Sequence, residues 1–249
     1  SKSKFQPFHK PKIKIKNEVV PMNLTIKNKI KKPNSHVEPS RWNKLIESKE
    51  TFLLDARKPF EHKVGTFKKS FNPNVDNFRD FPKYLRKLKK DKPIAMFCTG
   101  GIRCEKASAY LKHHGFRDVN QLHGGIIDYT RQIKEDSCLE NKFEGKNFVF
   151  DERRSERISS KIISKCHQCG FSCDTHVNCA NVNCNLLFIQ CDVCKKEYNN
   201  CCSLECIDVI NLTKSEQIKL RKGVENKKMY YSHKRVKLNL KNDKKNKNN

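Results

Sequence analysis

Cys98 is followed by Thr99, Gly100, Gly101, Ile102 and Arg103, and the apolar run Ile94 to Phe97 leads into it. That run reads as a buried strand. A helical period then begins past the glycines, at Ile102, Ala107, Tyr110, Leu111 and His114. A cysteine between a strand end and a helix start is placed for chemistry. Loop amides and the positive helix terminus favour an anion there, so the thiol loses its proton more readily. Gly100 and Gly101 let the backbone curl around that anion without Cβ clashes, and Arg103 adds a positive charge at the helix mouth. The competing reading makes Cys98 a small buried hydrophobe that ends a core strand. The glycine pair and the arginine favour the nucleophile. Loop length narrows the chemistry, because a phosphate-cradling C-x5-R loop needs its arginine where this chain has Cys104. The tighter loop suits a persulfide or another small adduct. Cys104 falls in the first helical turn and either resolves an oxidised Cys98 or simply packs.

A second set of chemically capable residues lies downstream. Ten of the thirteen cysteines crowd into residues 166–206. Two of the pairs, Cys166/Cys169 and Cys191/Cys194, have the CxxC spacing that brings two thiolates onto one metal, and together they make a plausible zinc ribbon. The interval between those pairs is slightly long for the usual pattern. Cys173, Cys179, Cys184, Cys201, Cys202 and Cys206 are available for part of a second site, with His167 and His176 in reserve. A disulfide-stapled module or a set of free thiols is the alternative. With no signal peptide and no long apolar run, a reduced, cytoplasmic protein with a metal-type module fits better. So short a segment, with little apolar mass, needs cross-links to fold.

Net charge is +26, of which the ends, residues 1–37 and 219–249, carry +19. Basic ends attract polyanions, nucleic acid first among them. Charge alone does not separate RNA binding from merely solvated lysines, since Lys and Asn are abundant throughout.

The stretch Cys98-Thr-Gly-Gly-Ile-Arg-Cys-Glu-Lys-Ala107, with Gly115-Phe116 and Leu122-His-Gly-Gly-Ile126, resembles a rhodanese domain. Gly65-Thr-Phe67, Asn77-Phe-Arg-Asp-Phe-Pro82 and Phe148-Val-Phe-Asp151 extend the likeness to the bacterial tRNA uridine hydroxylase (TrhO) family, over residues 12–206. The resemblance implies oxygen-dependent hydroxylation of the wobble uridine of tRNA to 5-hydroxyuridine, with O2 as co-substrate and tRNA as partner. No GxGxxG, haem signature or 2-His-1-carboxylate set accompanies it, so no nucleotide cofactor is indicated. On this reading Cys98 adds to uracil C6, while Arg103 and the loop of Thr99, Gly100, Gly101 and Ile102 stabilise developing charge. Two other readings stand beside it. One is a rhodanese-type sulfurtransferase carrying a persulfide on Cys98; the other is a zinc-and-RNA binding module with a relict domain, which the intact cysteine and arginine disfavour.

These residues need a scaffold. Strand–helix alternation predicts an α/β domain with a mostly parallel sheet covered on both faces, over residues 40–137. Its expected elements are a helix from Ser40 to Ile46, strand Thr51–Asp55, a helix over 83–89, strand 94–97, helix 102–114, strand 119–122 and helix 126–134. Asp55 and Arg57 read as a structural ion pair, and His123 as a packed or solvent-facing side chain. Residues 1–30, with strand 12–20, resemble the remnant of an N-terminal α/β domain, loosely held for want of a sheet. Residues 31–39 read as a linker, 138–210 as the Cys-rich module and 211–249 as a basic tail. That tail is expected to hold a helix from Gln217 to Val224 and disorder beyond Lys234.

Overall fold

The computed structural model describes residue 6, residues 13–22 and residues 36–222. The chain divides between Lys161 and Ile162 into two compact units. In the first unit the order is β1 (His36–Val37), α1 (Pro39–Glu47), β2 (Phe52–Asp55), α2 (Pro59–Val64), β3 (Gly65–Phe67), α3 (Phe81–Leu85) and β4 (Ile94–Phe97). Then come α4 (Ile102–His113), β5 (Val119–Leu122), α5 (Gly125–Glu135), β6 (Phe143–Phe148) and β7 (Ser155–Arg157). The main sheet is parallel in the order β1-β5-β4-β2, with Leu53 opposite Ala95 and Met96 opposite Gln121.

Strand β4 is buried along its whole length, as a central strand covered on both faces must be. The two-residue period of a strand then sorts its side chains between two layers. Ala95 and Phe97 pack with Trp42 of α1 and with Ile126 and Tyr129 of α5. Met96 and Cys98 pack on the other face with Leu85 of α3 and with Cys104, Ala107 and Leu111 of α4. The alternation therefore delivers the Cys98 sulfur to the α4 side.

A second sheet, antiparallel in the order β3-β6-β7, is absent from the sequence reading. Phe143 of β6 is 1% exposed and sets its ring edge-on to Phe67, 5.3 Å between centroids. Residues 138–161 thus share the core of the first compact unit, which runs to Lys161. Strand β6 passes so close to the end of α2 that a Cβ on Gly145, at φ +90°, would lie 2.2 Å from the Val64 carbonyl.

The linker reading fails at its end, where His36–Val37 pairs with β5 and Pro39 already begins α1. The strand expected over 12–20 does not form within residues 13–22. Ile13 and Ile15 stand 96% and 100% exposed, so the alternation buries nothing there. The end of this arm is nevertheless tied down: Met22 lies in the core beneath α4, and Glu18 bonds to the Met22 amide and to Lys106. Helix α3 ends at Leu85, short of the 83–89 span expected for it.

Asp55 and Arg57 are fully buried and form the expected ion pair, with Arg57 Nε and Nη2 at 2.9 and 2.7 Å from the two carboxylate oxygens. Arg57 Nη2 also donates to the Gly65 carbonyl at 2.6 Å, and His62 and Thr66 bond to Asp55 Oδ2. This network ties α2 and β3 to the end of β2. Burial pushes the Asp55 carboxyl up, but the Arg57 charge and the bonds from His62 and Arg57 outweigh it and hold it at about 2. With the folded pKa below the unfolded value, this stabilisation is complete above the ordinary carboxylate range and is lost as pH falls through about 2. We expect Asp55→Asn to cost about 3–5 kcal/mol, because it leaves the Arg57 charge buried and unpaired. Urea unfolding at neutral pH checks this, and an unchanged midpoint would show that the pair is dispensable.

The second unit contains β8 (His176–Asn178), β9 (Leu187–Ile189), α6 (Asp192–Glu197), α7 (Leu204–Asn211) and α8 (Lys214–Arg221). β8 and β9 form an antiparallel hairpin in which Val177 faces Phe188. Val177, Leu186 and Phe188 make a small core with cysteines packed around it. Helix α8 starts at Lys214, three residues before the expected Gln217, because Thr213 and Glu216 form a reciprocal cap. The disorder expected beyond Lys234 lies outside the described residues. Among the described residues no helix is long and apolar enough to cross a membrane.

Candidate active site

The turn from β4 into α4 forms the site. The amides of Ile126 and Ile127, at the start of α5, donate to the carbonyls of Cys98 and Thr99, each at 3.0 Å. These bonds turn the loop carbonyls toward α5 and leave the amides at the start of α4 free for the sulfur. Cys98 sits at the mouth of α4, where the Cys104 thiol and the amides of Arg103 and Cys104 favour its thiolate, and Cys98 and Cys104 lie in one buried layer. The loop and α5 meet without room for a side chain at Gly125, where φ is +66° and a Cβ would lie 2.6 Å from the Cys98 carbonyl. Gly101, at φ +85°, is the residue preceding α4.

Cys98 is 1% exposed and Cys104 is fully buried, while Gly100 and Ile102 form the open side of the loop. The hydrogen bond from Cys104 does most to stabilise the Cys98 thiolate. Burial opposes it, and the Arg103 charge and the two amides add to it, so the thiol is held down to about 6. Cys104 is pushed the other way by burial and by donating its own hydrogen to Cys98. One nucleophilic sulfur is thus set beside one protonated thiol. We expect the alkylation rate of Cys98 by iodoacetamide to rise with pH around a midpoint near 6. Peptide mass spectrometry after short pulses reads this rate; a midpoint near 9 would show that the loop does not hold a thiolate.

Arg103 is not the free cation that the loop sequence suggests. Its Nη1 and Nη2 make a two-pronged bond to Glu61, at 2.8 and 2.9 Å, and Nη2 also reaches Thr99 Oγ1 at 3.1 Å. Glu61 lies in α2, is fully buried, and also accepts from Thr99 Oγ1 and from the Lys58 amide. Burial disfavours its charge, yet Arg103 outweighs burial and holds Glu61 below the usual carboxylate range. The pair locks Thr99 and the first turn of α4 in place. Sequence reasoning missed Glu61. Its signal was Pro59 at the first helical position with an acid two residues on, an N-terminal pattern for a short helix. His123 stands half-exposed, bonded to Glu38 and edge-on to His36.

The Cys-rich unit gathers two sets of four thiols. The sulfurs of Cys166, Cys169, Cys191 and Cys194 lie within 4.8 Å of one another, as do those of Cys179, Cys184, Cys202 and Cys206. The Cys169–Cys191, Cys184–Cys202 and Cys202–Cys206 sulfur separations are 3.6, 3.5 and 3.8 Å. A tetrahedral metal with bonds of about 2.3 Å to sulfur puts its ligands about 3.8 Å apart, so both sets fit such an ion. The amides of Cys191 and Cys202 point at Cys166 and Cys179 Sγ, each at 3.4 Å, as donors to a ligating thiolate do. The first set is the one expected from CxxC spacing, and the long interval within it accommodates β8, β9 and two ligands of the second set. Cys173 and Cys201 belong to neither set, and neither do His167 and His176.

The rhodanese-like domain family matches residues 38–132, and the family described as rhodanase C-terminal matches residues 144–207. A protein of Pelagibacter ubique (strain HTCC1062) named tRNA uridine(34) hydroxylase is 60% identical over 171 residues, covering 68% of this chain and 56% of that one. The protein of the same name from Leptospira interrogans is 43% identical over 233 residues, 92% of this chain and 63% of that one. Another of that name, from Pectobacterium carotovorum, is 48% identical over 194 residues, 77% of this chain and 54% of that one. The chain therefore spans between half and two-thirds of the length of these curated relatives.

Proposed function

We propose, from its likeness to proteins named tRNA uridine(34) hydroxylase, that the chain is a member of that family and acts in oxygen-dependent hydroxylation of the wobble uridine of tRNA to 5-hydroxyuridine, with Cys98 as nucleophile. The observation that carries the reading is the buried Cys98 at the turn from β4 into α4, with the carbonyls of Cys98 and Thr99 tied to the first amides of α5. The thiolate adds to C6 of the uracil and enriches C5 in electrons, and dioxygen, the co-substrate, reacts there. The uracil approaches from the open side of the loop, at Gly100 and Ile102. The amides of Arg103 and Cys104 that favour the thiolate in the free chain receive it again when it departs. Arg103 acts with Glu61 as a clamp on the loop, and its guanidinium is a positioning group for Thr99. Both four-cysteine sets hold zinc, which suits sulfur ligands in a reducing, cytoplasmic compartment.

The tight loop also supports the sulfurtransferase reading, in which Cys98 carries a persulfide from a donor such as thiosulfate. Nucleoside analysis of tRNA after the full-length gene is deleted and then restored separates the two. Hydroxylation requires 5-hydroxyuridine to disappear and return. Enzyme-like thiosulfate turnover with no change in tRNA reverses the order of the readings.

A further inference from the structure

Hydroxylation with dioxygen places one oxygen atom on the nucleoside and sends the other away as water, which takes two electrons and two protons from a reductant. The first unit sets two thiols in one buried layer where the chemistry takes place. Cys98 follows β4 and Cys104 stands in the first turn of α4, and the two share one core layer.

We propose that Cys98 and Cys104 form a dithiol couple that supplies the two electrons for uridine hydroxylation and closes to a disulfide once per turnover. This rests on the hydroxylase reading and names the reductant that it leaves open. The asymmetry of the pair suits the task. The sulfur that must attack first is favoured as thiolate, and the one that must wait is kept protonated by burial. Two cysteines buried in one layer, at the two ends of a short loop, are also placed for thiol–disulfide exchange.

The steps balance as follows. Cys98 thiolate forms an S–C6 bond to the uracil, and C5 takes up dioxygen and a proton as a hydroperoxide. Cys104 attacks the distal oxygen, which breaks the O–O bond and leaves a hydroxyl on C5 and a sulfenic acid on Cys104. Loss of the C5 proton expels Cys98 as thiolate and restores the C5–C6 double bond. Cys98 then displaces water from the Cys104 sulfenic acid, with one proton taken up, and the S–S bond forms. In sum, uridine, dioxygen and two thiols give 5-hydroxyuridine, water and one disulfide. An external thiol reductant reopens the disulfide for the next turnover.

The test uses the full-length protein, reduced under anaerobic conditions, freed of small thiols, mixed with tRNA bearing an unmodified wobble uridine and then exposed to oxygen. The proposal expects product to stop near one nucleoside per chain, with an equal amount of Cys98–Cys104 disulfide found by peptide mapping. Added dithiothreitol should restore repeated turnover. Cys104→Ala should yield at least about tenfold less product in the reductant-free reaction while Cys98 remains open to alkylation. The disulfide map of the unaltered protein decides the matter even where that variant folds poorly. Product formed while Cys98 and Cys104 both stay reduced, or a disulfide confined to the Cys-rich unit, overturns the dithiol proposal and leaves the hydroxylase reading intact. Absence of 5-hydroxyuridine with every reductant overturns both.

Discussion

Cys98→Ser is expected to lower formation of 5-hydroxyuridine by at least about a thousandfold, because a serine hydroxyl in the same place stays protonated at neutral pH. The substitution is nearly isosteric. The introduced hydroxyl can still accept the amides of Arg103 and Cys104, so the loop keeps its shape while the nucleophile is lost. That separates chemistry from folding more cleanly than alanine, which leaves those two amides without a partner. The measurement is mass spectrometry of nucleosides from tRNA incubated with the variant, alongside its urea unfolding midpoint. Undiminished 5-hydroxyuridine would remove Cys98 from the reaction. A loss of product with an unchanged unfolding midpoint places the defect in the chemistry.

The part of this site legible in the sequence is the part encoded locally. An apolar tetrapeptide, a cysteine, two glycines and a helical period are contiguous, so strand, loop and helix could be placed from residues 94–114 alone. Glu61 was not legible because its helix spans six residues, too few for an apolar period to show, and because its partner Arg103 is forty-two positions away. The second sheet was missed for a related reason. β3 and β7 have three residues each, and a strand so short carries no pattern that names its partner across the intervening chain. Alternation misled in the opposite sense at residues 12–20, where Ile13 and Ile15 have the spacing of a strand but stand exposed. Among the cysteines, CxxC spacing identified one four-thiol set. The other uses Cys179-x4-Cys184 and Cys202-x3-Cys206, spacings that only the folded hairpin brings together.

The full-length protein is expected to carry two zinc ions per chain, and removing either should disrupt both sites. The four pairs alternate along the chain: Cys166/Cys169 and Cys191/Cys194 belong to one site, while Cys179/Cys184 and Cys202/Cys206 belong to the other. Opening the first site releases the segment that holds Cys179 and Cys184, and opening the second releases the segment that holds Cys191 and Cys194. Little else holds these segments. Phe171 and Val193 are 69% and 73% exposed, so the unit buries even fewer large apolar side chains than its composition offers. The metal–thiolate bonds are then the main cross-links, and binding energy becomes folding energy. Cys194→Ser and Cys206→Ser should each reduce the zinc content from two to below one and raise hydrogen exchange throughout residues 162–222. Cys173→Ser should leave two zinc ions in place, because Cys173 lies outside both sets. Metal analysis of the three variants, purified under reducing conditions, reads the outcome. One zinc retained in Cys194→Ser or Cys206→Ser, with its unit still protected from exchange, would show that the two sites fold independently. A metal-free protein that keeps this unit ordered under reduction would show that packing suffices without zinc.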